Sequence, residues 1–256
     1  MTAPDPAARR RALVTRPRAQ AETLAAALMR RGVEAIVEPM LEIDFRATGP
    51  LALAGVQAVL CTSANGVTAL ARASAERALP LFAVGEATAA AARRAGFAFV
   101  ESAAGDAAAL ARLAAARLDP RAGRLLHVAG SAVAGDLAGA LAAHGFAVDR
   151  AVLYDARPAT ALRAETRQAL AGGEIALALF FSPRSAAIFV GLATAAGLAP
   201  ACAGIAAVSI SRAADAALAA LDWRARSIAE APNQKALLDA VDRALGRSAL
   251  FGDMPR

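Results

Sequence analysis

The chain has 256 residues, 57% of them hydrophobic but only 4% aromatic, and a formal net charge of +6. That length holds one large α/β domain or two of ordinary size. With so few rings the core must come from Leu, Val, Ile and Ala, which weighs against an aromatic-rich β-sandwich and suits helices packed on parallel strands. Lys235 is the only lysine, so nearly all the cations are arginine, whose planar donor fork matches carboxylates and phosphates. A polyanionic small molecule fits that balance. There is no interleaved basic and aromatic stripe of the kind that stacks single-stranded bases, and no nucleic-acid partner is expected. Much of the arginine content reads simply as the habit of an alanine- and arginine-rich protein. The run Arg9-Arg10-Arg11 is expected to be solvated.

Cys61 and Cys202 each lie in an apolar run and read as small buried hydrophobes of a reducing compartment, not as a disulfide framework. The opening MTAPDPAARRRA has no apolar h-region, so a cytoplasmic location is expected. The stretch from Ser185 to Ser211 carries no charge and is long enough to span a bilayer. It is punctuated by Gly191, Gly197, Pro200 and Gly204, and reads as helix, loop and buried strand, so no membrane association is expected.

In chain order, Ala12 to Thr15 is a predicted buried strand, with Pro17 at the start of a helix through AETLAAALMRR that stops at Gly32. Proline suits a first helical turn because its missing N–H has no partner there anyway. VEAIVEPMLEI follows as a strand. AVLCTSANGVTAL and AVGEATAAAARRAGF are strand-to-helix units. Leu125 to Ala129 is a strand, Gly130-Ser131 a turn and GDLAGALAAH a helix ending at Gly145; the strand AVDRAVLYDAR comes next. LALFFSPRSAAIF and SISRAADAALAALD then repeat the earlier strand-to-helix units, with Ser63 and Ser182 in equivalent places. Strands alternating with helices predict parallel sheets with helices on their faces, and the repeated pattern predicts two similar doubly wound domains. In such sheets ligands sit beyond the carboxyl ends of the strands.

Five strand-to-helix turns share a small polar residue: Thr15-Arg16-Pro17, Thr62-Ser63-Ala64-Asn65, Gly85-Glu86-Ala87-Thr88, Ala129-Gly130-Ser131 and Ser182-Pro183-Arg184-Ser185. Ser209-Ile210-Ser211 is a weaker sixth. Free N–H groups at helix starts bind anions, while Ser and Thr there are also simply good caps. Five such turns facing one cleft would suit a ligand with many carboxylates. Gly130 and Gly135 have P-loop spacing without the Lys-Ser/Thr, and no G-x-G-x-x-G follows a predicted strand. His127 and His144 join no metal-ligand cluster, and no G-x-S-x-G elbow surrounds Ser63 or Ser182. Tyr154, the only tyrosine, lies in VLYDARP. A tyrosine there either donates a proton to a ligand or is a half-buried strand aromatic.

The run VTRPRAQAETLAAALMRRGVEAIVEPMLEI, the blocks TSANGV and VGEATAAAARRAGF, the segment VLYDARP and the block FFSPRSA together resemble the uroporphyrinogen-III synthase family, in that family's order and over roughly residues 12 to 240. The resemblance implies one domain of residues 1–38 with 158–256, a second of about 42–150, and two crossing β-strand linkers at about 39–41 and 151–157. It implies a cofactor-free, metal-free lyase of haem biosynthesis, a monomer by expectation, that closes the eight-carboxylate linear tetrapyrrole hydroxymethylbilane to uroporphyrinogen III. Water is lost and ring D is inverted through a spiro intermediate. Transient contact with the preceding pathway enzyme is a further implication. Tyr154 matches the tyrosine assisting loss of water. Thr15 and Arg16 match the opening turn, and Ser63, Thr88 and Ser182 match polar cleft positions. With Ala64, Asn65, Gly85, Gly130, Ser131, Pro183, Arg184 and Ser211 from the same kind of turn they make the expected substrate-binding set. A departure is Ala214, where the family often has threonine. The rival reading is a two-lobed cytoplasmic binding or sensing protein without catalysis.

Overall fold

The structure is a computed structural model that describes residues 10–47, 49–132 and 135–246; the sequence predicts a disordered tail from about Gly246 to Arg256, and all but its first residue lies outside them. The chain divides into two units, one made of the residues up to Glu42 with those from Pro158 onward, the other of Ile43–Arg157.

The first unit opens with β1 (Arg10–Val14), α1 (Arg18–Met29) and β2 (Val33–Val37). Helix α1 begins directly after Pro17, which occupies the N-cap, one place before the first helical turn expected for it. The second unit follows as β3 (Leu41–Phe45), β4 (Val56–Cys61), α2 (Ala64–Ala73), β5 (Leu81–Ala83), α3 (Glu86–Arg94), β6 (Val100–Ser102), α4 (Ala107–Arg117), β7 (Arg124–Gly130), α5 (Leu137–Ala142) and β8 (Val148–Pro158). The chain then completes the first unit with α6 (Ala164–Ala171), β9 (Ile175–Phe180), α7 (Pro183–Ala195), a 3-10 turn (Ala199–Gly204), β10 (Ala206–Ser209), α8 (Arg212–Ala216), β11 (Ala225–Ile228) and α9 (Gln234–Ala244). The charge-free stretch is thus helix, turn and buried strand, and no helix among the described residues is long and apolar enough to cross a membrane.

The sheet of the first unit runs β11-β10-β9-β1-β2 and that of the second β3-β8-β7-β4-β5-β6. Read from the far edge, β6-β5-β4-β7-β8 occupies the same five places as β11-β10-β9-β1-β2, with β3 added outside. The sequence repeat therefore reappears as a spatial one, in which the strand-to-helix units that come first in one sheet come last in the other. In the first sheet the winding reverses between β9 and β1, in the second between β4 and β7; both pairs are parallel.

Alternate residues of a strand serve opposite faces. Leu13 packs with Phe180, Phe189 and Leu170 on the α6 and α7 side, whereas Ala12 and Val14 pack with Leu24, Leu28, Leu237 and Val241 on the α1 and α9 side. In the second unit, Leu126 and Val128 meet α2 and α3 through Val67, Leu70 and Ala89. Leu125 meets α4 and α5 through Leu110, Leu137 and Leu141. Most helix starts are capped as their residues dictate: Ser63, Asp106, Asp136, Ser182, Ser211 and Asn233 each accept a backbone N–H from the first turn. Asp136 capping at its position also shortens the predicted GDLAGALAAH helix to six residues.

One expectation needs correction. VEAIVEPMLEI is not one strand: it breaks at Glu38-Pro39-Met40 into β2 and β3, which belong to different sheets. Proline donates nothing to a ladder, and the backbone here is held instead by Glu38 N–H to Val14 O and Met40 N–H to Thr15 O. Residues 151–157, expected as a β-strand linker, are strand here: they form the second half of β8 and pair in the sheet of the second unit through Ala151, Val152 and Tyr154. Just beyond β2, the Glu38 carboxylate is only 2% exposed. It accepts from the Arg163 backbone N–H at 3.4 Å, from Arg163 Nε at 3.2 Å and from Thr166 Oγ1, and so supplies the first turn of α6 with a remote anion.

Candidate functional site

The winding reversal in each sheet is where two strand-to-helix turns diverge, so it leaves room beyond the strand ends. In the second unit the turns after β4 and β7 carry Ser63 and Gly130-Ser131. Ser63 caps α2 by accepting from Gly66 N–H at 3.3 Å. Its hydroxyl also lies 3.0 Å from that of Tyr154, a residue 7% exposed and packed against the α2 side of the sheet.

Tyr154 reaches that place through a register shift. Ala129 faces Val152, but Gly130 faces Tyr154, which leaves one extra residue on β8. A β-bulge of this kind re-aims the side chains that follow it. Leu153 and Tyr154 consequently both bury on the α2 side, where strict alternation would separate them. The ring lies directly on the Gly130 backbone: a Cβ there would stand 2.8 Å from Tyr154 Cε2.

The turn beside the ring is fastened on several sides. Ser131 N–H donates to Tyr154 O at 3.0 Å. Arg150 Nη2 donates to Gly130 O at 2.7 Å and to Ser131 O at 3.0 Å. Arg46 grips the Asp155 carboxylate with Nε at 2.8 Å and Nη2 at 2.9 Å. That bidentate pairing, with help from the Ser131 hydroxyl, lowers the Asp155 carboxyl to about 2.

His127 lies on the opposite face, 3% exposed, and its Nε2 meets no hydrogen-bond partner among the described residues. Burial, and secondarily the charge of Arg150, push its imidazole below the usual value of 6.5. The unfolded chain therefore takes up a proton below pH 6.5 that the folded chain refuses, and stability falls as the pH drops through that range. His127→Leu is expected to remove this part of the slope between pH 7.5 and 5.5, as read by urea denaturation at the two values. An unchanged slope would assign the acid sensitivity to other groups.

The remaining predicted positions of this unit sit around the same strand ends. Ala64 and Asn65 form the first turn of α2, Gly85 is the N-cap of α3, and Thr88 is buried in its first turn. In the first unit, Thr15 is fully buried and its hydroxyl donates to Leu179 O at 2.7 Å, tying β1 to β9 across the reversal. Thr15 is thus fastened into the framework. Arg16 stands over the Phe181 ring at 4.4 Å and donates to Gln234 Oε1 at 3.3 Å and Gln20 Oε1 at 3.2 Å, which orients its guanidinium at the strand ends. Ser182 caps α7 and shares a 2.9 Å hydrogen bond with the buried Ser185 hydroxyl. Pro183 and Arg184 are exposed in the first turn of α7, and Ser211 caps α8 through Ala214 N–H at 3.3 Å. Ala214 is buried, so the side chain at that position faces the interior.

The structure therefore brings Ser63, Gly130, Ser131 and Tyr154 into direct contact. Within its own unit, it sets Thr15, Arg16, Ser182 and Ser211 at the ends of three neighbouring strands. Sequence reasoning did not single out Phe181, Gln234, Arg46 or Arg150. Their partners lie 19 to 218 residues away, and no local pattern signals such pairs.

The family model of uroporphyrinogen-III synthase HemD matches residues 22–239. The chain belongs to the uroporphyrinogen-III synthase family. Its members are enzymes of tetrapyrrole biosynthesis, and this chain is one of that family. Among solved structures, uroporphyrinogen-III synthetase from Helicobacter pylori is similar, at 16% identity, TM-score 0.61, and 92% and 99% coverage of this chain and that one. A mutant uroporphyrinogen III synthase from the extremely thermophilic bacterium Thermus thermophilus gives 22% identity, TM-score 0.57, and coverage of 93% and 99%. At these identities the likeness shows the fold, which uroporphyrinogen-III synthases share with both units of this chain. No curated protein sequence matches.

Proposed function

We propose that this chain is a hydro-lyase that closes hydroxymethylbilane to uroporphyrinogen III in the cytoplasm, with Tyr154 assisting the departure of water. The observation that carries the residue assignment is the Ser63–Tyr154 hydroxyl pair at the β4/β7 reversal, in a chain that matches the synthase family over most of its length.

The reaction is redox-neutral. The hydroxymethyl C–O bond breaks as a proton is supplied to the leaving oxygen. The carbon left behind bonds to the substituted α-carbon of ring D, and the bond from that α-carbon to its original bridge breaks. The other α-carbon of ring D then bonds to that bridge and gives up its proton, so that only water leaves. The protein must donate one proton and hold a flexible linear substrate in one conformation. Tyr154 O–H supports the first task. Ser63 Oγ is fixed by Gly66 N–H, so it holds the phenol in place and can return a hydrogen bond when the phenol proton moves. Shielding of Tyr154 from water makes that hydrogen bond stronger than it would be in solvent. The second task falls to the strand-to-helix turns, whose free N–H groups and oriented arginines suit the substrate's carboxylates. Because hydroxymethylbilane closes unaided to the uninverted isomer, control of geometry is the larger contribution.

The test supplies hydroxymethylbilane enzymatically and separates uroporphyrin isomers I and III after oxidation. Wild-type protein is expected to shift the product from I to III. Tyr154→Phe is expected to lower kcat/KM about tenfold or more with the melting temperature nearly unchanged. Isomer I alone from folded wild-type protein would favour a binding or sensing role. A Tyr154→Phe enzyme with wild-type kcat/KM would remove Tyr154 from the chemistry.

A further inference from the structure

We propose that Arg150 is a positioning residue for Tyr154, acting through the Gly130–Ser131 peptide. The carbonyl oxygen of Gly130 and the N–H of Ser131 belong to one planar peptide group. Arg150 Nη2 holds its oxygen end at 2.7 Å, and the Tyr154 carbonyl takes its N–H end at 3.0 Å. The same guanidinium nitrogen also reaches Ser131 O at 3.0 Å, fixing the next peptide in turn. The Tyr154 ring rests on Gly130 with no room for a Cβ between them. Rotation of the Gly130–Ser131 peptide therefore moves the surface that supports the ring and breaks the main-chain bond that anchors its residue.

Arg150 stands four residues before Tyr154 on the same strand, facing His127 in the ladder, and the bulge falls between them. From the opposite face of the sheet it sets the turn on which the tyrosine rests. Among the described residues Arg150 forms no ion pair, whereas Arg46, Arg124 and Arg157 nearby each hold a carboxylate. Its charged head is given to two main-chain carbonyls at the end of β7, in bonds stronger than neutral ones. A bulge leaves part of a ladder unpaired, and the arginine supplies the missing restraint at that point.

The kinetic part of the test rests on the proposed activity; the spectroscopic part does not. Tyr154 is the only tyrosine, so protein labelled with [13Cζ]tyrosine gives a single ring resonance. Arg150→Met is expected to shift or broaden it, Arg150→Lys to keep it near the wild-type position, and the exposed-site control Arg94→Met to leave it untouched. In the isomer assay Arg150→Met is expected to lower kcat about five- to tenfold with KM within twofold, and Arg150→Lys to restore most of the loss. Added to Tyr154→Phe, it is expected to cost less than a further twofold, since both changes act through one hydroxyl.

An unmoved resonance in Arg150→Met, or a double variant whose losses multiply in full, would overturn the proposal. If wild-type protein makes no isomer III, the proposed activity fails while the resonance still decides the positioning role. Should Arg150→Met not fold, Arg150→Lys and Arg150→Gln form the graded series, and equal resonances in both and in wild type would count against Arg150.

Discussion

Gly130→Ala is expected to lower formation of the type III isomer about 10- to 100-fold while the protein stays folded. The added Cβ would meet Tyr154 at 2.8 Å from Cε2, 3.0 Å from Cζ and 3.3 Å from Cδ2. The ring is 7% exposed and packed among Val67, Leu70 and Val128, so it cannot swing aside as a surface side chain would. It must slide, and a slide of a few tenths of an ångström upsets the 3.0 Å Ser63–Tyr154 hydrogen bond. The damage should appear in kcat and in the isomer ratio, with little change in KM. A Gly130→Ala enzyme that turns over like wild type would show that Tyr154 tolerates displacement, which would undercut the geometric account of the site.

Phe180→Ala is expected to remove about 3–5 kcal/mol from the stability of the first unit. Phe180 is wholly buried in the central strand β9 and meets Phe189 and Trp223 edge-on, at centroid distances of 5.4 and 5.7 Å. In a chain with so few rings, Phe180, Phe189 and Trp223 form a mutual ring cluster in the core of the first unit. Truncation loses the transfer free energy of the ring and leaves a cavity that the strand cannot close. Trp223 is the only tryptophan, so its fluorescence reports this unit by itself during urea unfolding. A midpoint within experimental scatter of wild type would mean that the α7 side collapses onto the gap.

Much of this architecture was legible in the sequence because each strand-to-helix unit carries its own punctuation. Ser63 and Ser182 announce helices that begin one residue later, and the glycines at 32 and 145 follow helix ends with φ of +60° and +84°. The break inside VEAIVEPMLEI was harder to see. Its apolar residues suit a strand on both sides of Pro39, and only the pairing partners reveal two sheets. The candidate site was legible as a set of positions, and less so as a set of contacts. Nothing local in VLYDARP shows the bulge that turns Tyr154 toward a serine 91 residues away. Arg150 looked like any other arginine of an exposed strand, because its role depends on two carbonyls in a neighbouring turn.

The permuted strand order has a consequence for how the protein is made. The second unit is continuous and is complete once residue 157 has emerged, whereas β1 must wait for β9, whose partner carbonyl at Leu179 lies 164 residues beyond Thr15. Closing so long an unstructured loop carries an entropic cost that grows with its length. The early unit shortens it. With β3 and β8 paired as neighbours, and Asp44 bound to Arg157 at 2.6 Å, the two ends of the inserted segment already lie side by side. The nascent amino-terminal strand is thus held beside the point from which its late partners emerge, and a folded domain takes the place of a short hairpin turn.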